Sequence, residues 1–308
     1  MSLLAYFLGF LAAVGNAGAN TLQRAANRDQ NRDEQFSLQM IKNLLRTKKW
    51  FAGILCMAAS FFLQATGLGM GTLSAVEPLL VLELPLTMVA SHIWLDSNLG
   101  RRGWSAIIGM TVSTVALIAF LGPGRGHTGG VEWYVYLLAI SATGAVIAVC
   151  YLLGVRWNDK SKRAAILGLG TGTAYGLAAA ITKGMTEQFS SGGIAGVFTS
   201  WQLWVAIAIG VLAVWMHQNA VSAARLVIAQ PGITLADPYV SILWGAFVFG
   251  ESMRGGLFIL GALVAGLGLT VSAIELSRAR ETSGQNAQEE GEEGETTDEG
   301  RRQRTSAG

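Results

Sequence analysis

The sequence has few charged residues and few of the residues from which catalytic and metal centres are built. Only 14% of its 308 residues are Asp, Glu, Lys or Arg, and it contains three histidines and two cysteines. The histidines have no His or Cys neighbour at metal-ligand spacing, which argues against a metal centre. Cys56 and Cys150 both fall within apolar runs, so a disulfide framework is not indicated.

Apolar residues and glycine make up most of the remainder. Hydrophobic residues account for 51% of the chain and there are 39 glycines, a composition typical of a polytopic membrane protein rather than a soluble domain. We expect an all-α fold with about nine transmembrane helices, each near the twenty residues that a bilayer needs. The apolar runs cover residues 3–23, 50–68, 72–95, 104–121, 132–154, 164–186, 200–217, 222–249 and 256–276.

The placement of basic residues predicts the orientation of these spans. On one side of the membrane, the loops between the spans hold only two basic residues, Arg125 and Arg254. By the positive-inside rule, the N-terminus lies outside and the C-terminus in the cytoplasm, in a cytoplasmic membrane. Four segments on the cytoplasmic side hold 7, 2, 4 and 5 Lys or Arg residues, namely 24–49, 96–103, 155–163 and the C-terminus.

Two proline-containing stretches, residues 77–85 and 230–238, divide the chain into two similar halves. Each stretch places two prolines seven residues apart, with an acid just before the second proline. Because five spans separate the first helices of the halves, equivalent helices run in opposite directions and the repeats are inverted. The predicted domains are a first repeat at 1–121 with an amphipathic cytoplasmic segment at 33–49, a linker helix with loops at 122–163, a second repeat at 164–276, and a disordered acidic cytoplasmic tail at 277–308.

The four prolines of these stretches are predicted to break their helices. Proline lacks an N–H donor and bends a helix axis, which lipid permits only where protein or a cavity satisfies the freed backbone groups. Broken helices at corresponding places in two repeats point to the binding site of a transporter. The predicted break positions are Pro78, Pro85, Pro231 and Pro238.

Ionisable residues within the spans are the first candidates for that site, because a charge in the bilayer core is costly without a partner or a cavity. Glu83 and Asp237 lie nearest the middle of their spans and are predicted to be cation ligands or proton carriers. Glu77 lies nearer the outer end, where it lines an entrance or reaches the headgroups. Lys183 either extends to the membrane surface or pairs with Glu77 or Glu83.

Side-chain amides are the second group of candidates. Gln64 and Gln218 hold nearly matching positions in the two repeats, so we expect a similar polar group to approach the site from both halves. Asn16 and Asn20 lie four residues apart on one helix face, where they either bond across a helix interface or contact a solute.

These features resemble the drug/metabolite transporter superfamily, with EamA-like repeats, and within it the nine-span branch related to the NIPA-type magnesium transporters. The likeness rests on Lys48–Gly53, Ser74–Leu79 and Lys183-Gly184, and on Glu251, the acid that closes the second proline-containing helix. The resemblance implies a gradient-driven carrier of small solutes that is not an enzyme and needs no cofactor. Glu77 before Pro78 departs from the magnesium branch, as does the second proline of each stretch.

The combined patterns predict alternating-access transport of a small solute, which is either a cation such as Mg²⁺ or a small cationic drug or metabolite, with proton coupling. If a divalent cation is carried, Glu83 and Asp237 are its predicted ligands. An alternative is a flippase for a lipid-linked intermediate, or a non-transporting scaffold in an envelope complex. The expected partners are the solute and the bilayer and not nucleic acid; a homodimer and a cytoplasmic partner of the acidic tail are left open.

Overall fold

The computed structural model describes residues 3–28, 47–95, 99–124, 126, 130–223 and 226–279. In these residues the chain is helical and contains no strand. The helices of the first half are α1 (Leu3–Arg28), α2 (Lys48–Met70), α3 (Leu73–Leu80), α4 (Glu83–Leu95) and α5 (Arg101–Leu121). They are followed by α6 (Trp133–Arg156), α7 (Lys160–Thr199), α8 (Trp201–Ala223), α9 (Leu226–Phe247) and α10 (Leu257–Ala279).

The lengths and compositions of these helices are those of membrane spans. Eight candidate spans are long and apolar enough to cross a membrane, with α3 and α4 counted together as one. The remaining predicted span corresponds to α9, a helix of 22 residues that contains Asp237 and two prolines. The predicted all-α, polytopic membrane architecture is therefore confirmed.

The α3–α4 pair and α7 lie at the centre of the helix bundle. In each of them 72% of the apolar stretch is buried, compared with 17% in α6 and 22% in α8. Large apolar side chains on α6 and α8, such as Leu138, Trp204 and Val211, are exposed. Such an apolar outer surface is what helices that face lipid require.

The two halves of the chain pack alike. In the first half α1 packs on α2 and on the α3–α4 pair, and in the second half α7 packs on α8 and on α9. The halves meet where α3 packs on α9 and where α2 packs on α7, and α6 packs on α7. This packing of the helices agrees with two repeats joined by a linker helix. The boundaries of the domains remain predictions.

The first proline-containing span is broken, but between the two predicted positions: Pro78 lies inside α3, and the turn follows it at Val81 and Leu82. The N–H groups of Val81 and Leu82 donate to carbonyls only three residues back, at 3.3 and 3.1 Å, so the chain tightens into a turn between α3 and α4. Glu83 then begins α4. Pro85 lies in the first turn of α4, where the missing N–H is tolerated because that group has no partner within the helix.

The second proline-containing span is not broken. The helix α9 continues from Leu226 to Phe247 with Pro231 and Pro238 inside it, so the predicted breaks at these two prolines are wrong. A membrane helix tolerates such prolines when neighbouring helices support it. The support comes from α7, the helix against which α9 packs most extensively.

The contact between α7 and α9 is formed by a glycine stripe, Gly168, Gly172 and Gly176, at four-residue intervals along α7. At each of these glycines the space that a Cβ atom would need is already occupied by α9 backbone carbonyls, those of Ala229, Ile233 and Asp237 respectively. Small residues at membrane helix interfaces allow this close backbone approach. The glycine stripe is thus a packing face of α7.

The helix α7 is longer than the predicted span at 164–186. It runs from Lys160 to Thr199 and contains one non-helical residue, Gly193, whose φ of 59° turns the chain. Residues that follow the predicted span are therefore helical and not a loop, which corrects the prediction. At the other end Asp159 caps the helix, since its carboxylate accepts from the backbone N–H groups of Ser161 and Lys162.

Two predicted segments lie largely outside the described residues. The amphipathic segment at 33–49 is described only from Thr47, and Lys48 and Lys49 belong to α2. The acidic tail is described only at residues 277–279, which continue α10 as helix.

Candidate functional site

Glu77 is a buried carboxylate on α3, the short helix at the interface of the two halves. Only 2% of its surface is exposed. Its Oε1 accepts a hydrogen bond of 2.9 Å from the side-chain amide of Gln64 on α2. The structure thus places Glu77 inside the bundle and not among the lipid headgroups, and it brings two of the predicted site residues together.

Glu83 is held in a similar way at the start of α4. Its Oε1 accepts a hydrogen bond of 2.6 Å from the side-chain amide of Asn20 on α1. Its backbone carbonyl accepts from the hydroxyl of Thr87, one turn along the helix. Asn16 lies half-buried on the preceding turn of α1. Asn20 therefore both joins two helices and contacts a site carboxylate.

Asp237 supplies a third carboxylate from the second half of the chain. Its Oδ1 is buried and has no hydrogen-bond partner in the part of the chain that the structure describes. Ser241, one turn further along α9, is fully buried, and its hydroxyl lies close enough to the Asp237 carboxylate to interact with it. An unsatisfied buried carboxylate oxygen is costly, so it is expected to have a function.

Glu77, Glu83 and Asp237 form one electrostatic group, which we call the acidic cluster. Asp237 interacts electrostatically with both Glu77 and Glu83. Tyr175 on α7 interacts electrostatically with Asp237 and Glu83, so it borders the cluster. The cluster thus joins carboxylates from both halves, at the contact of α3 with α9.

The predicted symmetry of the amides is not observed. Gln218 on α8 is exposed, and only its backbone carbonyl is engaged, by the hydroxyl of Ser222. The expectation that Gln64 and Gln218 approach the site from both halves is therefore wrong for Gln218. A shift of one residue between the repeats rotates a helical side chain by about 100°, which explains why near-matching positions face different surroundings.

Lys183 has a different partner from those predicted. It is 3% exposed, so it does not extend to the membrane surface, and its Nζ lies 3.5 Å from the Oε1 of Glu251. Nζ also donates to two backbone carbonyls at the end of α2, those of Leu68 at 3.2 Å and Gly71 at 2.7 Å. The predicted pairing with Glu77 or Glu83 is wrong because Glu251 and these carbonyls surround the ammonium group.

Glu251 binds the first turn of α3. Its two carboxylate oxygens accept from the backbone N–H of Leu73 at 2.6 Å, the backbone N–H of Ser74 at 3.0 Å and the hydroxyl of Ser74 at 2.5 Å. We call this arrangement the Lys183–Glu251 clamp, because two charges of the second half hold the α2–α3 turn of the first half. Sequence reasoning identified Glu251 only as the end of a span. A lone lysine in an apolar helix was the available signal that a carboxylate partner must exist.

The acidic cluster does not form a ready metal centre. In the described residues no group of three or more His, Cys, Asp and Glu side chains could hold a metal ion. A divalent cation at Glu83 and Asp237 would therefore need further oxygen ligands from backbone carbonyls or water, which hard cations accept.

Comparisons with known proteins identify a relative but no family. No protein-family model matches the chain, and no solved structure matches it. The chain is similar to an uncharacterized protein of Corynebacterium glutamicum, with 28% identity over 282 residues that cover 90% of this chain and 96% of that protein. The similarity therefore extends through both halves of the membrane region and names no substrate.

Proposed function

We propose that this chain is a secondary transporter that moves a small cationic solute across the cytoplasmic membrane by alternating access. The observation that carries the proposal is the buried Asp237 carboxylate, which lies in electrostatic range of Glu77 and Glu83 and has no basic partner in the described residues. Carboxylates within membrane helices mark substrate and ion pathways. In transporters with inverted repeats the site lies at the interface of the repeats, which is where these three residues meet.

The charge of the acidic cluster supports a cation as the solute. Neither Glu77 nor Asp237 forms an ion pair with a basic residue in the described part of the chain, and Gln64 contributes a neutral amide. Lys183, a basic side chain at the turn before α3, is engaged by Glu251. A small inorganic cation such as Mg²⁺ suits the carboxylate oxygens. A cationic amine is the second candidate, because an aromatic residue, Tyr175, borders the cluster.

The resemblance to the drug/metabolite transporter superfamily supports the same proposal. It implies a carrier that is driven by an ion gradient and that performs no enzymatic reaction. Carboxylates within a transport site can also carry the coupling proton, as intramembrane Asp and Glu residues do in pumps and transporters. The orientation with an outer N-terminus and a cytoplasmic C-terminus is part of the proposal, on the grounds of the basic loops.

Solute flux in proteoliposomes tests this function. The full-length protein is reconstituted, a pH gradient of either sign is imposed, and uptake of Mg²⁺ is compared with uptake of tetramethylammonium, with protein-free liposomes as the background. We expect one of these probes to be transported, and we expect Asp237→Asn and Glu83→Gln to reduce its flux by at least about tenfold, since each removes a charged ligand. Glu132→Gln, which changes an exposed acid at the start of α6, is the matched control and should transport as wild type.

The outcomes separate the transporter from the flippase or scaffold. If neither probe nor a wider panel of cations moves, and both site variants support the wild-type cellular phenotype, the acids are structural and the proposal fails. Removal of residues 281–308 adds a second comparison. An autonomous carrier keeps its flux without the acidic tail, whereas a scaffold that acts through a tail partner loses its cellular function.

A further inference from the structure

The Lys183–Glu251 clamp is a charged contact between the halves that the proposed transport site does not use. It joins α7 and the segment after α9 to the α2–α3 turn, which consists of Gly71 and Thr72. The side chains of Lys183 and Glu251 are 4% and 0% exposed. Each charge of a pair this deeply buried needs hydrogen-bonding or oppositely charged partners, because burial of an unpaired charge is strongly unfavourable.

Both charges of the clamp complement helix ends. The ammonium group of Lys183 lies against the last carbonyls of α2, where the helix dipole is negative, and its Nζ is 5.7 Å from the centre of the Phe249 ring. The carboxylate of Glu251 accepts the first N–H groups of α3, where the dipole is positive. The contact is therefore specific to one relative position of the two halves, and a small displacement of α3 would break the hydrogen bonds that Glu251 accepts from Leu73 and Ser74 together.

The clamp acts on the same short helix, α3, that carries Glu77 of the acidic cluster. Ser74, which Glu251 binds, lies three residues before Glu77, and α3 has only eight residues. Movement of α3 away from Glu251 would therefore move Glu77 as well. The positive-inside orientation places the α2–α3 turn and the start of α10 on the outer side of the membrane. The clamp lies between that side and the cluster.

We propose that the Lys183–Glu251 clamp is the outer gate of this transporter, closed in the present structure and broken when the acidic cluster opens to the outside. The proposal rests on alternating access as the function. When the gate opens, water hydrates Lys183, Glu251 and the two helix ends, so the open state also satisfies each charge. A packed interface with two such arrangements behaves as a switch and not as a continuous hinge.

Cysteine labelling tests the gate without any substrate. In a background with Cys56→Ala and Cys150→Ala, a reporter is introduced as Thr72→Cys, because Thr72 is 1% exposed and its hydroxyl has no hydrogen-bond partner in the described residues. A second reporter, Ser91→Cys, lies on α4 beyond the cluster and is 5% exposed. A membrane-impermeant methanethiosulfonate reagent is applied to whole cells and to inside-out vesicles.

We expect Glu251→Gln and Lys183→Met each to increase the rate of labelling at Thr72→Cys from the outside by about tenfold or more, as the closed population falls. Lys183→Arg keeps a cation beside Glu251, so the rate of labelling at Thr72→Cys should stay close to its value without this substitution. Glu275→Gln removes an exposed ion pair with Arg278 on α10 and should leave the rate unchanged, which makes it the matched control. Labelling at Ser91→Cys from the cytoplasmic side should not increase.

Three results would overturn the gate. Unchanged labelling in Glu251→Gln and Lys183→Met would show that the clamp does not control access. A similar increase at both reporters would show that the clamp only stabilises the fold. An increase seen only in inside-out vesicles would place the contact on the cytoplasmic side. Failure of solute flux is a separate result, since the labelling does not depend on it.

Discussion

The two glutamates of the acidic cluster are each bound by one side-chain amide from another helix. Gln64 donates to Glu77 and Asn20 donates to Glu83, and in both cases the acceptor is Oε1. An amide N–H donor fixes the position of a carboxylate without neutralising it. Asp237 receives no such bond at Oδ1. The cluster thus combines two carboxylates held by amides with a third, that of Asp237, whose Oδ1 is buried.

A pair of equivalent substitutions tests the role of these amides. Gln64→Leu removes the donor to the buried carboxylate of Glu77, and loss of a hydrogen bond to a charged group costs ~1.5–3 kcal/mol. We expect the solute concentration at half-maximal flux to rise about tenfold to a hundredfold. Gln218→Leu changes the exposed glutamine at the nearly matching position of the other repeat and should leave flux unchanged. Equal losses of flux in the two variants would show that Gln218 also belongs to the site.

Single residues show why part of the site was not predictable. The sequence identifies Lys183 as an unusual intramembrane cation, and it identifies Glu77, Glu83 and Asp237 as unusual anions. It does not indicate which anion the lysine binds, because that depends on how α7 lies against α2 and the segment after α9. Glu251 lies 68 positions from Lys183 and 177 from Ser74, so only the packing of the helices brings these residues together.

At the scale of the helices, the two proline-containing spans have different structures. In the first span a turn separates α3 from α4, whereas α9 continues through both of its prolines. The glycine stripe of α7 lies directly against the α9 backbone and supports it. Proline spacing is the same in both spans, but the supporting neighbour decides whether a helix bends or breaks.

The glycine stripe can be tested by adding a single methyl group. Gly172→Ala places a Cβ where the Ile233 carbonyl already lies, so we expect destabilisation by ~1–3 kcal/mol and a lower midpoint of thermal unfolding in detergent. Gly144→Ala on α6 has no atom within 4 Å of the added Cβ. It should keep or raise the midpoint, since Ala favours a helix over Gly by about 1 kcal/mol. A similar loss in both variants would contradict the packing role of the stripe.

At the scale of the whole molecule, the functional features lie at the contact between the two halves. The acidic cluster combines α3 and α4 with α9, and the Lys183–Glu251 clamp joins the α2–α3 turn to the second half. Motion of one half against the other would therefore change both features at once. That is the property that alternating access requires of a protein built from two repeats.

The orientation of the whole molecule can be determined with two cysteines that flank α6. Glu132→Cys and Ser161→Cys both change exposed residues, and α6 is the span that separates them. Added to whole cells, an impermeant thiol reagent should label Glu132→Cys and should label Ser161→Cys only after permeabilisation, because the basic segment 155–163, which includes Ser161 at the start of α7, is predicted to lie inside. The reverse labelling pattern would show that the topology is opposite to the predicted one. Labelling of both cysteines on intact cells would show that α6 does not span the membrane.

The lengths of the apolar runs were sufficient to predict an all-α, polytopic membrane protein, and the acids within those runs gave the candidate site residues. These features depend on local composition, since each membrane helix satisfies its own backbone and needs a set length. The partner of Lys183, the exposure of Gln218 and the continuity of α9 were decided by the tertiary structure. Each depends on the rotation of one helix against another, and in an apolar bundle that rotation is set by close packing between residues far apart in the chain.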